Sequence, residues 1–325
     1  MKSKRRGSRT WLRRPATLVS LIIPVKNEEA NLEAFFDCLD RQSSENFETI
    51  FVDDGSIDET PKLVSRYSSA RYRVTAAQMP ATSPIGCSAA RKEGFQLSRG
   101  EFIVFLDADD LINPALIESL EVKIMNENPD AIIWDYSVFN NEDRSVSQSF
   151  QTKLWPSSKE CYSAYDLREN LFQLTNPALW NKALRRPLVK QTLPALSTQL
   201  TWANDLPLTY AALALTEKIA FLNQCMITHV RSPNRLSEKR FSEPAGILQS
   251  LILLSRIMAE TNVDSTFAGT FKELCLRQLE YHSDVIGEMK SESLHYLLPN
   301  FFKSAKVQFS KDEQAKIISL FRPKN

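Results

Sequence analysis

Three continuous apolar runs, each ending in a polar or acidic cluster, constrain this chain more than any other feature. Leu18 to Val25 (LVSLIIPV) leads into Lys26-Asn27-Glu28, Glu48 to Val52 into Asp53-Asp54-Gly55-Ser56, and Phe102 to Leu106 into Asp107-Ala108-Asp109-Asp110. Runs this short and this rich in β-branched and aromatic residues are predicted strands, and strands apolar on both faces belong inside a sheet that is covered on both sides. The segments between them have helical periodicity. Leu32, Phe35, Phe36 and Leu39 recur at three and four residues in a helix that runs to Arg41. Thr60 to Tyr67 forms a second helix with Ser56 or Asp58 as its cap, and Ser88 to Ser98 a third that stops at Arg99-Gly100. Arg71 to Ala77 adds a strand. This alternation predicts an α/β fold with a mostly parallel central sheet flanked by helices, in which ligands bind at the carboxyl ends of the strands.

The run from Glu101 to Pro114 (EFIVFLDADDLINP) carries the densest chemistry, because its apolar strand ends in three carboxylates within four positions. Like charges so close raise one another's pKa unless a cation relieves them. Oxygen ligands of this kind suit Mg²⁺ or Mn²⁺, with phosphates completing the shell. A solvated acidic turn before the helix that follows Pro114 accounts equally well for these residues alone. The other two polar strand ends favour a site, since a parallel sheet brings all three to one edge. With eight glycines, no Gly-x-Gly-x-x-Gly after the first strand and no P-loop, a phosphate is held by metal and aspartates and not by a glycine cradle.

At 325 residues and 43% hydrophobic, the chain has the material for one large or two modest domains. A formal net charge of +1 gives no general polyanion signal, and no nucleic acid partner is expected. Locally the first fourteen residues are very basic, with Lys2, Lys4, Arg5, Arg6, Arg9, Arg13 and Arg14. The arm, residues 1–17, is read first as a disordered, solvated terminus, and second as a peripheral contact with an anionic membrane or RNA. No apolar run reaches the roughly 18 residues that cross a bilayer. The expected location is cytoplasmic, at most peripheral at the inner face of the cell membrane. Cys38, Cys87, Cys161, Cys225 and Cys275 are scattered and read as buried thiols, and His229, His282 and His295 are too dispersed for a histidine metal cluster.

Beyond Pro114 a helix runs to Asn126 and Asp130 to Phe139 forms a strand, followed by a polar surface excursion over Asn140 to Ser158. Asp205 stands at the entry to an apolar helix within Thr201 to Leu215, and Ile219 to Arg231 is the last strand. From Ser242 the chain is helical, and Ile247 to Met258 is an amphipathic stretch read as core.

Residues 18–237 resemble the family 2 glycosyltransferases of the GT-A fold. VSLIIPVKNEEANLEAFFDCLDRQ is similar to the first signature of that family, FVDDGSIDET to the second and GCSAARKEGFQLSRGEFIVFLDADD to the third. NPALWNKALRR, TWANDLPLTYAAL and THVRSPNRLS resemble the family's Trp-x-Lys-x-x-Arg, catalytic-base and exit segments less tightly. The resemblance implies an inverting transfer from a nucleotide diphosphate sugar, UDP-linked, to a glycan or lipid-linked acceptor, as in bacterial cell-surface glycan assembly. It divides the chain into a domain at 18–237, with a nucleotide-sugar half (18–114) and an acceptor half (115–237), and a helical C-terminal region at 238–325.

Carried over residue by residue, it implies that Pro24 and Val25 lie under the base, that Asn27 and Glu28 hold the loop or the ribose, and that Asp54, supported by Asp53, meets the uracil edge. Asp107 would contact the ribose or the metal and Asp109 would ligate the metal, with Asp110 a neighbouring acid. Arg91 takes the family's arginine position, Asp205 that of the base, and Arg231 a basic position near the diphosphate. Lys26, Lys92 and Asn204 depart from the usual Tyr, Asn and Glu. These departures leave a second reading open, a module that binds a nucleotide sugar without transferring it, and the basic arm leaves a third, an adaptor at a membrane surface.

Overall fold

The computed structural model describes residues 17–80, 86–149, 154–156, 161–200, 202–231, 245–261, 263, 267–283, 291–304 and 309–321. Residues 1–16, most of the basic arm, lie outside them, as do 232–244, which include the end of the exit segment.

The first half reads β1 (Val19–Val25), α1 (Leu32–Asp40), β2 (Phe47–Asp53), α2 (Thr60–Arg66), β3 (Arg73–Gln78), α3 (Cys87–Leu97) and β4 (Phe102–Phe105). The second half reads β5 (Leu111–Ile112), α4 (Leu116–Glu127), β6 (Ala131–Asn140), β7 (Val146–Gln148), β8 (Cys161–Tyr162), β9 (Lys182–Arg185), α5 (Arg186–Thr192), α6 (Asp205–Leu215) and β10 (Ile219–Arg231). Four helices follow, α7 (Gly246–Glu260), α8 (Ala268–Tyr281), α9 (Ser291–Ser304) and α10 (Lys311–Leu320).

Side-chain alternation along the strands builds the core. Ile22, Ile50, Val52, Ile103 and Phe105 face α3, α5, α6 and α7, while Val19, Leu21, Ile23, Phe51, Phe102 and Val104 face α1, α2 and α4. The first of these cores continues without a break into α8, α9 and α10, so the amphipathic stretch at Ile247 to Met258 is core, as its pattern predicts.

The strand order is β3-β2-β1-β4-β9-β6-β10-β5, with β7 on β6 and β8 on β10. The first four strands are parallel and β6 pairs in parallel with β10. Between these blocks β9 runs antiparallel to both β4 and β6, so the second half of the mostly parallel sheet that the sequence predicts is mixed. Its segment, KALR, is four residues long and half basic, too short and too polar to register as a strand before it is paired. The polar excursion likewise contains β7, a three-residue strand folded back on β6.

The order reverses between β1 and β4, since β2 and β3 lie on one side of β1 and β4 on the other. At such a switch point the strand ends part and leave a crevice. Pairing of β1 with β4 ends at Ile22 and Phe105, and the Leu106 N–H makes the last bond, to the Ile22 carbonyl at 3.0 Å. Pro24 points the same way as Ile22, toward the side that β4 has left, so its missing N–H costs no ladder bond.

On the opposite edge Glu48, fully buried, accepts from the Ser20 hydroxyl at 2.7 Å and the Gly100 N–H at 3.2 Å and pairs with Arg73 at 2.7 Å. Gly100 is where the chain comes close to β1: a Cβ there would lie 2.6 Å from the Ser20 backbone nitrogen. Gly94 lets α3 press on the sheet in the same way, because a Cβ would overlap the Ile22 Cγ2 methyl. Gly94→Ala gains about 1 kcal/mol of helix propensity but forces an overpacked contact worth about 1–3 kcal/mol. The expected net result is a lower midpoint of urea unfolding with an unchanged slope.

Candidate active site

The crevice between β1 and β4 is lined by the polar ends of three strands and by the start of α6. After β1 the chain turns through Asn27, whose φ of 56° is the left-handed region that asparagine tolerates better than most side chains. This turn interlocks with the one after β2: the Asn27 N–H donates to the Ser56 hydroxyl and the Ile57 N–H to the Asn27 side-chain oxygen, both at 2.9 Å. The Glu28 N–H donates to Thr60 Oγ1 at 2.7 Å. Asp53 accepts from the Ser56 N–H at 3.1 Å and from Gln78 at 3.3 Å, so its buried carboxylate holds the turn. Asp54 accepts from the Gly86 N–H at 2.8 Å, at the entry to α3, and lies 3.6 Å from the Lys26 ammonium. Asp58, not Ser56, serves the start of α2, where its carboxylate accepts from the Thr60 N–H at 3.0 Å.

The second group is centred on Arg91, projected from α3 and 3% exposed. One guanidinium nitrogen donates to Asp205 Oδ1 and the other to Asp107 Oδ1 at 3.1 Å. Arg91 and Asp205, 114 positions apart, are therefore joined directly, and the same cation holds Asp107. Burial works against the Arg91 charge, but Asp205, Cys87 and Asp107 outweigh it and hold the guanidinium above its ordinary value. Replacing Arg91 with Met would leave two carboxylates unpaired in the crevice, and breaking a buried ion pair from one side costs about 3–5 kcal/mol. Urea unfolding of Arg91→Met is expected to lie at the lower end of that range, because Asp107 and Asp205 retain some solvent contact.

Asp205 is the first residue of α6. Its second oxygen accepts the Leu179 N–H at 3.3 Å. The turn leading into it is strained, since Ala203 has φ 52°. That turn is held from α7: Ser250 donates to the Ala203 carbonyl at 2.9 Å, and Gly246 lies so close to the buried Trp202 indole that a Cβ there would overlap it. The first of the C-terminal helices, α7, thus braces the turn that carries Asp205.

Asp107, Asp109 and Asp110 offer oxygens within 4.8 Å of one another. Burial pushes the Asp107 carboxyl above its ordinary value, and Asp110 and Asp205 add to this against the opposing pull of Arg91. Such a donor set, all oxygen, negative and partly open, fits Mg²⁺ or Mn²⁺. Asp110 is turned to the protein. Both of its oxygens lie 3.1 Å from His229 Nδ1, and one also accepts the Val230 N–H at 3.1 Å. His229 stacks on Trp180 at 5.1 Å, and Trp180 meets Tyr136 edge-on at 4.6 Å.

Asn27, Glu28 and Asp53 are thus tied together by the interlocked turns, with Pro24 and the buried Val25 just before them and the Asp54 N–H bonded to the Val25 carbonyl, while Arg91 joins Asp107 and Asp205, and Asp109 shares the acidic cluster with Asp107. The Cys87 thiol senses both groups. Burial pushes it up to about 12, opposed by Arg91 and reinforced by Asp107, Asp205 and Asp54. All five cysteines are free thiols; Cys275 is buried and the other four are half-buried. Arg231 is exposed at the end of β10, two residues past His229 and within electrostatic reach of Tyr136. His229 escaped sequence reasoning, since its partner Asp110 lies 119 positions away. Lys182 stood in the Trp-x-Lys-x-x-Arg segment, Trp180 to Arg185, but nothing in that spacing announces its burial.

The family described as Glycosyl transferase family 2 matches residues 20–193, more than half of the chain. The chain belongs to that family. Among its relatives is the glycosyltransferase GlyA of Streptococcus pneumoniae, 25% identical over 65% of this family 2 chain and 30% of its own length. Another is the amylovoran biosynthesis glycosyltransferase AmsB of Erwinia amylovora, 36% identical over 31% of this chain and 36% of its own length. This chain spans 48%, 30% and 63% of three of the curated relatives it matches. S. aureus TarS 1-349 in complex with UDP-GlcNAc superposes with a TM-score of 0.69 at 18% identity, over 94% of this chain and 90% of that one. The likeness shows the fold, GT-A with its C-terminal helices. Among the described residues no helix is long and apolar enough to cross a membrane.

Proposed function

We propose that this chain is a metal-dependent, inverting glycosyltransferase that moves a sugar from a UDP-linked donor to a hydroxyl of a glycan or lipid-linked acceptor. The observation that carries the proposal is the Asp205–Arg91–Asp107 bridge, which sets a carboxylate from α6 beside the acidic end of β4. Membership of the family, the GT-A fold and the nucleotide sugar held by TarS support it.

Asp205 is the base. Both its oxygens are already oriented, by Arg91 and by the Leu179 N–H, and each keeps a lone pair for an acceptor hydroxyl. As it takes the hydroxyl proton, the acceptor oxygen bonds to the anomeric carbon from the face opposite the diphosphate. The bond from that carbon to the diphosphate oxygen breaks, and the nucleoside diphosphate leaves with the electron pair. Asp109, with Asp107, would hold the divalent cation, which when bound supplies charge neutralisation for the departing diphosphate. Pro24, Val25, Asn27, Glu28, Asp53 and Asp54 hold the nucleoside, and Arg231 approaches the diphosphate from β10. Residues 18–114 form the donor half and 115–237 the acceptor half, with 238–325 bracing the base. The basic arm brings the chain to the anionic inner face of the cell membrane.

A panel of UDP, GDP, dTDP and CDP sugars, each with Mn²⁺ or with EDTA, tests this reading. Release of UDP from at least one UDP-sugar, with Mn²⁺ and not with EDTA, is expected. Metal-dependent binding of UDP-sugars without release from any of them would favour the non-transferring module instead.

A further inference from the structure

Lys182 is the first residue of β9, at the join between the two halves of the sheet, and it is 1% exposed. Its side chain runs back beneath the loop 176–181. There its ammonium donates to the Asn176 carbonyl at 3.1 Å, the Ala178 carbonyl at 2.6 Å and the Asn181 side-chain oxygen at 2.6 Å. An ammonium has three N–H donors, and each finds an oxygen. None of these three partners is a carboxylate. Burial drives the amine well below its ordinary value, and the negative charge of Asp205 pulls it back up.

The same loop presents the Leu179 N–H to Asp205 Oδ2. On its other side α6 holds the loop by a bond from the Thr209 hydroxyl to the Pro177 carbonyl at 2.7 Å, and the residue before it by one from the Tyr210 hydroxyl to the Thr175 carbonyl at 3.2 Å. The loop is thus clamped between hydroxyls of the helix that carries Asp205 and a single buried ammonium. A buried cation held by neutral oxygens is an expensive way to fill space that a methionine would fill as well. Its distinctive contribution is three directed bonds.

We infer that Lys182 is a positioning residue for Asp205: its side-chain nitrogen fixes the 176–181 loop, whose Leu179 amide aims the carboxylate. The inference rests on the reading of Asp205 as the base. The loop clamp itself can be measured without any turnover.

Lys182→Met, which keeps the volume, and Lys182→Gln, which keeps two donors, are compared with the wild type in the full-length chain. Hydrogen exchange of the Leu179 amide is expected to accelerate at least about tenfold in Lys182→Met and less in Lys182→Gln, with β1 and β2 unchanged. In Mn²⁺-supported hydrolysis of UDP-GlcNAc, or of whichever donor the panel selects, kcat is expected to fall about a hundredfold with KM within about twofold. Added to Asp205→Asn, Lys182→Met is expected to cause no further loss of the residual rate, because it acts through the residue already removed. Unchanged Leu179 exchange in both variants, or a full hundredfold loss on the Asp205→Asn background, would overturn the inference. A wild type that exchanges as expected but turns over no donor would instead refute the base reading and leave the clamp standing.

Discussion

Asp205→Asn is expected to lower turnover of the donor by about a thousandfold or more while UDP affinity stays within about twofold. The substitution keeps the shape and an oxygen that can accept from Leu179 or Arg91, so the start of α6 stays in place. What it removes is basicity. An amide cannot take the acceptor's proton, and the effect falls on kcat because the proton moves only in the transition state. Steady-state release of UDP, with calorimetry of UDP binding in parallel, separates the two. Equal turnover in the variant and the wild type would remove Asp205 from the chemistry. A matching fall in UDP affinity would recast it as a binding residue.

Asp109→Ala should abolish the part of nucleotide affinity that depends on Mn²⁺. Asp107 is engaged by Arg91, and Asp110 by His229 and the Val230 amide. Asp109 shares this oxygen set with them and takes the ligand role in the proposed reading. Losing a partner in the outer shell already costs metal affinity 10–100-fold, so deleting a ligand is expected to cost about a hundredfold or more. Calorimetric titration of UDP with and without Mn²⁺ reads this directly: the gap between the two conditions closes in the variant. A gap as large as that of the wild type would transfer the ligand role to Asp107 or Asp110.

Much of the fold was legible because the buried strands are local signals. LVSLIIPV, ETIFV and FIVFL each declare a strand without help from the rest of the chain, and the acids that end them declare an edge. Topology then does what no single segment can, since the reversal between β1 and β4 opens the crevice where those edges meet. β9 was illegible for the opposite reason. Lys182-Ala183-Leu184-Arg185 becomes a strand only when β4 and β6 flank it, and its lysine is buried only because a loop of carbonyls folds over it. The Asp110–His229 contact spans 119 positions and has no periodic signature. Ala203 likewise conceals its left-handed turn, since alanine seldom adopts one and does so here because α7 holds the Ala203 carbonyl and packs on Trp202.

The division of labour inside the acidic run also became sharper. DADD reads as one cluster along the chain, whereas in three dimensions Asp107 turns to Arg91 and Asp110 to β10. One strand end thereby reaches both Asp205 on α6, through Arg91, and the far half of the sheet. This explains why residues so distant in sequence form one site.

The most direct test of that site is a crystal structure of the chain grown with UDP and Mn²⁺, with anomalous scattering recorded at the manganese edge. The account predicts one strong anomalous peak within ligating distance of Asp109, with the diphosphate on its open side and the uracil beside Asp54. UDP seated elsewhere, or bound in the crevice with no anomalous peak at the Asp107–Asp110 cluster, would contradict it.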